Sequence, residues 1–132
     1  MPIESHVELN HTVVHAKDKL ASAEFLAGIL GLEVGAPFGP FIPVDTSNGV
    51  TLDFYEDADN PVAPQHYAFL VSEEAFDIMI GRIEAAGVTY YADPSHTEPG
   101  RINRLFGGRG AYFDDLDGHN MEIITRPYAR AR

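Results

Sequence analysis

Two histidines and one glutamate of this sequence are candidate ligands of a metal ion. Glu122 lies among Met121, Ile123 and Ile124, and a carboxylate buried among apolar side chains needs a hydrogen bond, a charged partner or a cation. His11 and His66 each stand early in a segment that alternates like a β-strand. Two imidazoles and one carboxylate bind a divalent ion and leave positions open for a substrate. We therefore predict a metal site at these three residues.

The alternation of the strands favours this prediction. In the last predicted strand Glu122 points to one face, whereas Met121 and Ile123 point to the other face, towards a covering helix. In the strand 65–71, the face of His66 carries the smaller side chains, which suits the lining of a cavity. A single histidine in a strand is more often a hydrogen-bonded structural residue than a metal ligand. Here, however, His11 and His66 occupy equivalent positions in the two halves of the chain, which favours metal ligands.

The strands and helices around these residues form an internal duplication. Each half runs strand, helix, then two or three strands; His11 lies 20 residues before a helix-ending Gly31, and His66 lies 21 residues before Gly87. One such unit is too short to fold well alone, so the two must share a core. The predicted organisation of the single domain 1–132 is a first module at about 7–56, a linker at 57–64 and a second module at about 65–127.

Local signals set the ends of the predicted elements. Asp18 and Ser72 are predicted N-caps of two helices, which Gly31 and Gly87 end. The remaining strands are predicted at 33–38, 41–45, 50–55, 88–91, 110–114 and 120–125. The tail that begins at Tyr128, YARAR, is expected to be frayed.

The composition excludes several classes of protein. The chain has 20 acidic and 9 basic residues and a net charge of -11, the opposite of a nucleic-acid-binding protein. It has no cysteine, so disulfides, thiolate metal sites and a cysteine nucleophile are excluded. The longest apolar run, 25–32, is far shorter than the roughly 20 residues that span a membrane. A cytoplasmic protein with a small-molecule substrate, and neither nucleic acid nor membrane as partner, is expected.

The sequence resembles the vicinal oxygen chelate superfamily of glyoxalases, bleomycin-resistance proteins and extradiol dioxygenases. The segments LNHTVV, GILGLEVG, QHYAFLV, EAAGV and GGRGAYFDDLDGHNMEIIT carry the resemblance over most of the chain. The most specific part, YFDDLDGHNMEI, is similar to the family ending YF-x-DPDGH-x-x-E, with Leu116 where proline is usual. By this match His11, His66 and Glu122 fall on the metal-ligand positions of the family.

The resemblance also implies a fold and an assembly. The expected fold is α+β, with two tandem βαβββ modules that form an open, cup-shaped mixed sheet with the helices on the outside. A homodimer is expected, with a divalent ion (Ni, Zn, Mn, Co or Fe(II)) as cofactor. Whether one chain completes the metal site, or two chains share it, stays open.

The reaction also stays open. Glyoxalase I members have a second acid where Asp53 lies, which makes Asp53 a candidate fourth ligand or base. Extradiol dioxygenases place a tyrosine where Tyr112 lies, but the histidine that they have upstream is absent from 103–105. We prefer glyoxalase-like lyase or isomerase chemistry on a substrate with vicinal oxygens, through a metal-stabilised enolate. Asp53 or Glu122 would transfer protons and Tyr112 would donate a hydrogen bond.

Two alternatives and one minor candidate site accompany this preference. The alternatives are an extradiol-type dioxygenase and a metal-free small-molecule (drug) binding and resistance protein, which the 14 Phe and Tyr residues and the acidic charge would suit. Arg104 and Arg109 are candidates to bind an anionic group of a substrate, although pairing with the plentiful acids is the favoured interpretation.

Overall fold

Two mixed β-sheets, one from each half of the chain, form the frame of the protein. The structure, a computed structural model, describes residues 7–131. The first sheet has the order β1-β3-β2, with β1 at His11–Ala16, β2 at Ile42–Asp45 and β3 at Thr51–Glu56. The second has the order β4-β7-β6-β5, with β4 at His66–Leu70, β5 at Tyr90–Tyr91, β6 at Gly110–Asp114 and β7 at Asn120–Ile124.

The two sheets share a topology that reflects the duplication. In each sheet the first and last strands of the half pair in parallel, β1 with β3 and β4 with β7. The other pairs, β2 with β3, β5 with β6 and β6 with β7, are antiparallel. The predicted α+β fold with open, mixed sheets is confirmed.

Each half contributes one α-helix, and the predicted caps are present. The helices are α1 at Lys19–Leu30 and α2 at Glu73–Ala85. The side chains of Asp18 and Ser72 accept hydrogen bonds from the first turns of α1 and α2, at 3.0 Å and 3.1 Å. Gly31 and Gly87, with φ of 71° and 72°, adopt the left-handed conformation that ends a helix at glycine. Within residues 7–131, neither helix is long and apolar enough to cross a membrane.

The buried apolar side chains of both halves form one core. Val14 of β1, Phe76 of α2 and Met121 and Ile123 of β7 all belong to this core and are at most 1% exposed. Complete burial of such a side chain stabilises the fold by about 1.5–3 kcal/mol. Because strand residues alternate, the opposite strand faces, which carry His11 and Glu122, are left to form clefts.

The predicted strand at 33–38 is wrong. This segment makes only two isolated bridges, from Val34 to Val44 and from Phe38 to Phe41. Pro37 has no N–H to donate to a ladder, and Gly39 turns the chain with a φ of 56°. The result is a tight loop with Phe38 at its exposed end (74% exposed).

The turn between β6 and β7 joins the two halves through the imidazole of His119. Its Nδ1 accepts a hydrogen bond from the backbone N–H of Gln65 (2.9 Å), so Nε2 carries the hydrogen and donates to the carbonyl oxygen of His15 (2.7 Å). His119 is completely buried. The ring therefore links β1 of the first sheet to the entry into β4 of the second.

Two aspartates of the same turn strengthen this link. Asp117 accepts hydrogen bonds from the backbone N–H of Lys17 (3.0 Å) and from the hydroxyl of Ser22 (2.6 Å), both at the start of the first half's helix. Asp115 accepts from the backbone N–H groups of Asp117 and His119 at 2.9 Å and 2.8 Å. Burial raises the pKa of the Asp115 carboxyl. Asp115, Asp117 and His119 of the most specific sequence motif therefore have structural roles.

Replacement of His119 tests this link. We expect His119→Ala to lower the free energy of unfolding by about 2–5 kcal/mol, since it leaves a cavity and removes the hydrogen-bond partner of two backbone groups. Denaturant unfolding followed by circular dichroism measures the change. His15→Ala is the control, because the exposed His15 side chain takes no part in the link, and its expected effect is within about 0.5 kcal/mol. Equal effects of the two variants would contradict the assignment.

Candidate functional site

His66 and Glu122 form the first half of the candidate site. The parallel pairing of β4 with β7 sets Glu122 opposite Ala68 and His66 opposite Asn120. The Nε2 atom of His66 lies 3.1 Å from Oε1 of Glu122, and its Nδ1 lies 2.8 Å from the carbonyl oxygen of Asn120. A carbonyl can only accept, so Nδ1 carries the hydrogen. A neutral His66 then points a lone pair at a carboxylate, and a proton or a metal cation is needed between the two.

The second oxygen of Glu122 is held by tyrosine hydroxyls. Oε2 accepts a hydrogen bond from Tyr128 at 2.5 Å, and the Tyr128 hydroxyl lies 3.1 Å from that of Tyr112. Because Tyr128 donates to Glu122, its oxygen accepts from Tyr112. Burial raises the pKa of both Tyr112 and Tyr128; the hydrogen bond with Tyr128 also raises the pKa of Tyr112, and the hydrogen bond to Glu122 that of Tyr128. Both phenols therefore keep their protons at neutral pH and act as donors.

Tyr128 was missed by the sequence reasoning, and the expectation that it lies in a frayed tail is wrong. Its ring packs against Phe106 with centroids 4.7 Å apart, and the guanidinium of Arg130 lies 5.4 Å from its ring centre. Pro127, Tyr128 and Arg130 line the same cleft as His66 and Glu122. The only signal in the sequence is one aromatic residue in a tail of alanine and arginine, which no periodicity links to a site.

His11 and Asp53 form a second half site on the first sheet. Both residues line one cleft, with Phe38 and Phe41 among its walls. Asp53 is only 9% exposed, so it is a buried acid rather than an exposed strand residue. The Nδ1 atom of His11 lies 2.8 Å from the side-chain oxygen of Asn10, while the ring remains accessible.

The predicted ligands are therefore divided between two sheets. His66 and Glu122 lie in contact on the second sheet, whereas His11 lies on the first sheet beside the Asp53 cleft. Among residues 7–131 of one chain, no three His, Asp or Glu side chains come together to hold a metal ion. The three predicted ligands therefore do not form one group within the described part of a single chain.

Arg109 is engaged in structural pairing with two acids. Its Nε lies 2.8 Å from Glu73 and its Nη1 2.7 Å from Asp77, both on α2, and its guanidinium lies 4.5 Å from the ring centre of Phe76. The favoured interpretation of Arg109 is confirmed. Arg104 lies exposed, next to the short 3-10 turn at Leu105–Gly107.

Comparison with known proteins agrees with this architecture. Residues 8–123 match the family described as Glyoxalase/Bleomycin resistance protein/Dioxygenase superfamily. The structure of oxidase ChaP-H2 has a TM-score of 0.92 and 61% identity, covering 95% of this chain and 98% of that chain. Oxidase ChaP-H1 has a TM-score of 0.91 and 56% identity, covering 95% of this chain and 100% of that chain. Glutathione transferase FosA from Serratia marcescens is 31% identical over 120 residues, 87% of this chain and 78% of its own length. The resemblance seen in the sequence is confirmed.

The pairing of Arg109 predicts a pH dependence of stability. Hydrogen bonds from Thr125 and Arg109 lower the pKa of Glu73, and the bond from Arg109 lowers that of Asp77. A carboxyl whose pKa is lower in the folded than in the unfolded protein stabilises the fold fully at pH values above its unfolded pKa, about 4. This stabilisation is lost as the pH falls through the folded pKa. We expect Arg109→Ala to be less stable than wild type at pH 5–7 and the difference to shrink below about pH 4.

Thermal unfolding of both proteins from pH 3 to pH 7 measures this difference. The part that remains at low pH reports the packing of Arg109 on Phe76. Added salt should reduce the pH-dependent part, because the carboxylates are exposed. A difference that is independent of both pH and salt would contradict the ion-pair explanation.

Proposed function

This chain belongs to the Glyoxalase/Bleomycin resistance protein/Dioxygenase superfamily, and on that premise we propose that it is a divalent-metal-dependent oxidase of a small aromatic substrate with neighbouring oxygens. In this proposal His66 and Glu122 of one chain, with His11 of the partner subunit, hold the metal ion. The observation that carries the proposal is the His66–Glu122 pair, two acceptor atoms 3.1 Å apart that require a cation or a proton. The 61% identity to oxidase ChaP-H2 favours oxidation over the lyase chemistry that we preferred from the sequence.

The residues of the pair suit a divalent ion of the first transition row. Imidazole and carboxylate are ligands for Fe, Mn, Co, Ni and Zn, and two histidines with one carboxylate are typical of Fe(II) oxygenases. The hydrogen bond from Nδ1 of His66 to Asn120 fixes the ring so that Nε2 is the free ligand atom. When bound, such an ion would polarise the oxygens of a substrate and support electron transfer to dioxygen.

A second copy of the chain would complete the site. Exposed apolar side chains lie beside both half sites: Val13 (37%) and Phe38 (74%) by His11, and Leu70 (61%) by Glu122. Exposed apolar surface of this kind favours a protein partner. In a two-fold dimer the first sheet of each copy would face the second sheet of the other, which gives two equivalent sites. This supports the homodimer expected from the sequence.

The first sheet supplies groups for an aromatic, oxygen-bearing substrate. Phe38 and Phe41 present ring surfaces in the cleft that contains His11 and Asp53, and aromatic rings stack favourably on each other. In this proposal the Asp53 carboxylate would accept the proton of a substrate hydroxyl. Tyr112 and Tyr128, which remain protonated, would donate in series, Tyr112 to Tyr128 and Tyr128 to Oε2 of Glu122, and so stabilise the negative charge of that carboxylate. Oxidation then requires dioxygen as the acceptor of the substrate's electrons.

Asp53 also favours a second candidate function. A nearly buried acid beside a ligand histidine suits a base that moves a proton next to a carbonyl. That is the glyoxalase-like lyase or isomerase reaction through a stabilised enolate. This reaction needs no dioxygen, and so the two candidates differ in a measurable requirement.

Complementation between two inactive variants tests the shared site. We expect His11→Ala and His66→Ala, each purified alone, to lose most bound metal and turnover. In a co-expressed mixture, about half of the dimers are mixed, and each mixed dimer has one intact and one doubly mutated site. Metal content and activity should then recover to about a quarter of the wild-type values. No recovery in verified mixed dimers would contradict a shared site, and a metal-free wild type after reconstitution would contradict the proposed function.

Dioxygen dependence separates the two reactions. Protein reconstituted without air with Fe(II), Mn, Co, Ni or Zn is tested with catechols and other phenols, and with hemithioacetals of 2-oxoaldehydes. We expect substrate-dependent oxygen uptake with the phenols and no anaerobic conversion of the hemithioacetals. We expect Asp53→Asn to lower kcat by about 100-fold or more, the usual loss when a general base is removed. Anaerobic turnover of a hemithioacetal would favour the lyase over the oxidase.

A further inference from the structure

The carboxylate of Glu122 has two oxygens in different surroundings, and only one of them is free to bind a cation. Oε1 faces His66, whereas Oε2 accepts the hydrogen bond from Tyr128. Glu122 is only 1% exposed, so its carboxylate depends on protein groups for its hydrogen bonds. We propose that Tyr128 is the positioning residue of the metal site, which orients Glu122 so that Oε1 is its ligand oxygen. This inference rests on the proposed function.

The chain holds Tyr128 in place over Glu122 by contacts on three sides. Its ring packs on Phe106 and lies beside the guanidinium of Arg130, and its hydroxyl accepts from Tyr112. Phe106 has a φ of 57°, a conformation that residues other than glycine rarely adopt. A side chain with contacts on these sides can restrain the carboxylate to which it donates.

The path of the tail depends on the small size of Gly108. A Cβ atom at position 108 would lie 2.6 Å from Cγ of Arg126 and 2.7 Å from the hydroxyl of Thr125. The Thr125 hydroxyl also accepts from the backbone N–H of Arg109 at 2.8 Å. The tail therefore leaves β7 close to Gly108, and this close approach leads the chain to the position of Tyr128.

A single substitution tests the role of the Tyr128 hydroxyl separately from that of its ring. Tyr128→Phe keeps the packing on Phe106 and removes the hydroxyl, with its hydrogen bond to Oε2 of Glu122 and the one it accepts from Tyr112. Loss of a group that orients a ligand typically weakens metal affinity about 10–100-fold. We expect this loss in Tyr128→Phe, together with an altered visible absorption spectrum of the Co(II)-loaded protein, which reports the ligand arrangement directly.

Two further variants make the test specific. Gly108→Ala displaces the tail while Tyr128 keeps its hydroxyl, and we expect it to reproduce the loss of affinity and the spectral change. Tyr90→Phe, on β5, removes a tyrosine hydroxyl away from Glu122 and should match wild type within about threefold in Co(II) affinity. Circular dichroism checks that every variant is folded.

The outcomes distinguish this inference from the proposed function. If wild type binds no Co(II) or other divalent ion, the proposed function fails, and this inference with it. If wild type binds Co(II) but Tyr128→Phe binds it equally well or more tightly with an unchanged spectrum, only the role of Tyr128 is overturned. Tighter binding would show that Tyr128 competes with the ion for Glu122.

Discussion

The imidazole of His119 is the contact on which the arrangement of this protein depends. It is completely buried, accepts from the backbone of Gln65 and donates to the backbone of His15, so its two ring nitrogens are satisfied by opposite halves of the chain. Asp117 repeats this connection to the start of α1. Because a buried polar group without a partner is costly, neither half can shift without breaking several hydrogen bonds together. Glu122 follows His119 by three residues, in the strand β7 that begins at the next residue, so the link also fixes the position of the acid.

The site carries features that a purely structural protein would avoid. A buried carboxylate loses hydration, and well-packed apolar residues often stabilise a fold more than a buried ionic pair does. Glu122 is held by the hydrogen bond that Tyr128 donates to Oε2, whereas Oε1 lies 3.1 Å from Nε2 of His66. The partially exposed His66 and the exposed Phe38 add open, reactive or apolar surface. Such features reduce stability in favour of binding and chemistry.

Local rules predicted much of the fold and part of the site. The caps at Asp18 and Ser72 depend only on neighbouring residues, and strand alternation assigned Met121 to the core and Glu122 to the other face. The contact of Glu122 with His66 also follows, once the two strands pair in parallel. The strand expected at 33–38 did not form, since proline and glycine prevent a continuous ladder.

Other parts of the site are not contained in local patterns. The placement of His11 on a separate sheet from Glu122 depends on how two similar modules pack, and neither module's alternation encodes that arrangement. The role of Tyr128 depends on contacts with Phe106 and Tyr112, which lie 22 and 16 residues away in the sequence. The internal duplication predicts which residues of the two modules are equivalent, but it does not predict which of them are in contact.

The C-terminal tail passes close to Gly108, so the residue type at 108 and the path of the tail depend on each other. The space that a side chain at 108 would need is already filled by Arg126 and Thr125. During sequence divergence, a larger residue at 108 and a tail seated over Glu122 therefore exclude each other. A lineage that gained a side chain there would have to reroute its C-terminus. The innermost acid of the second sheet would then be free to take a different partner.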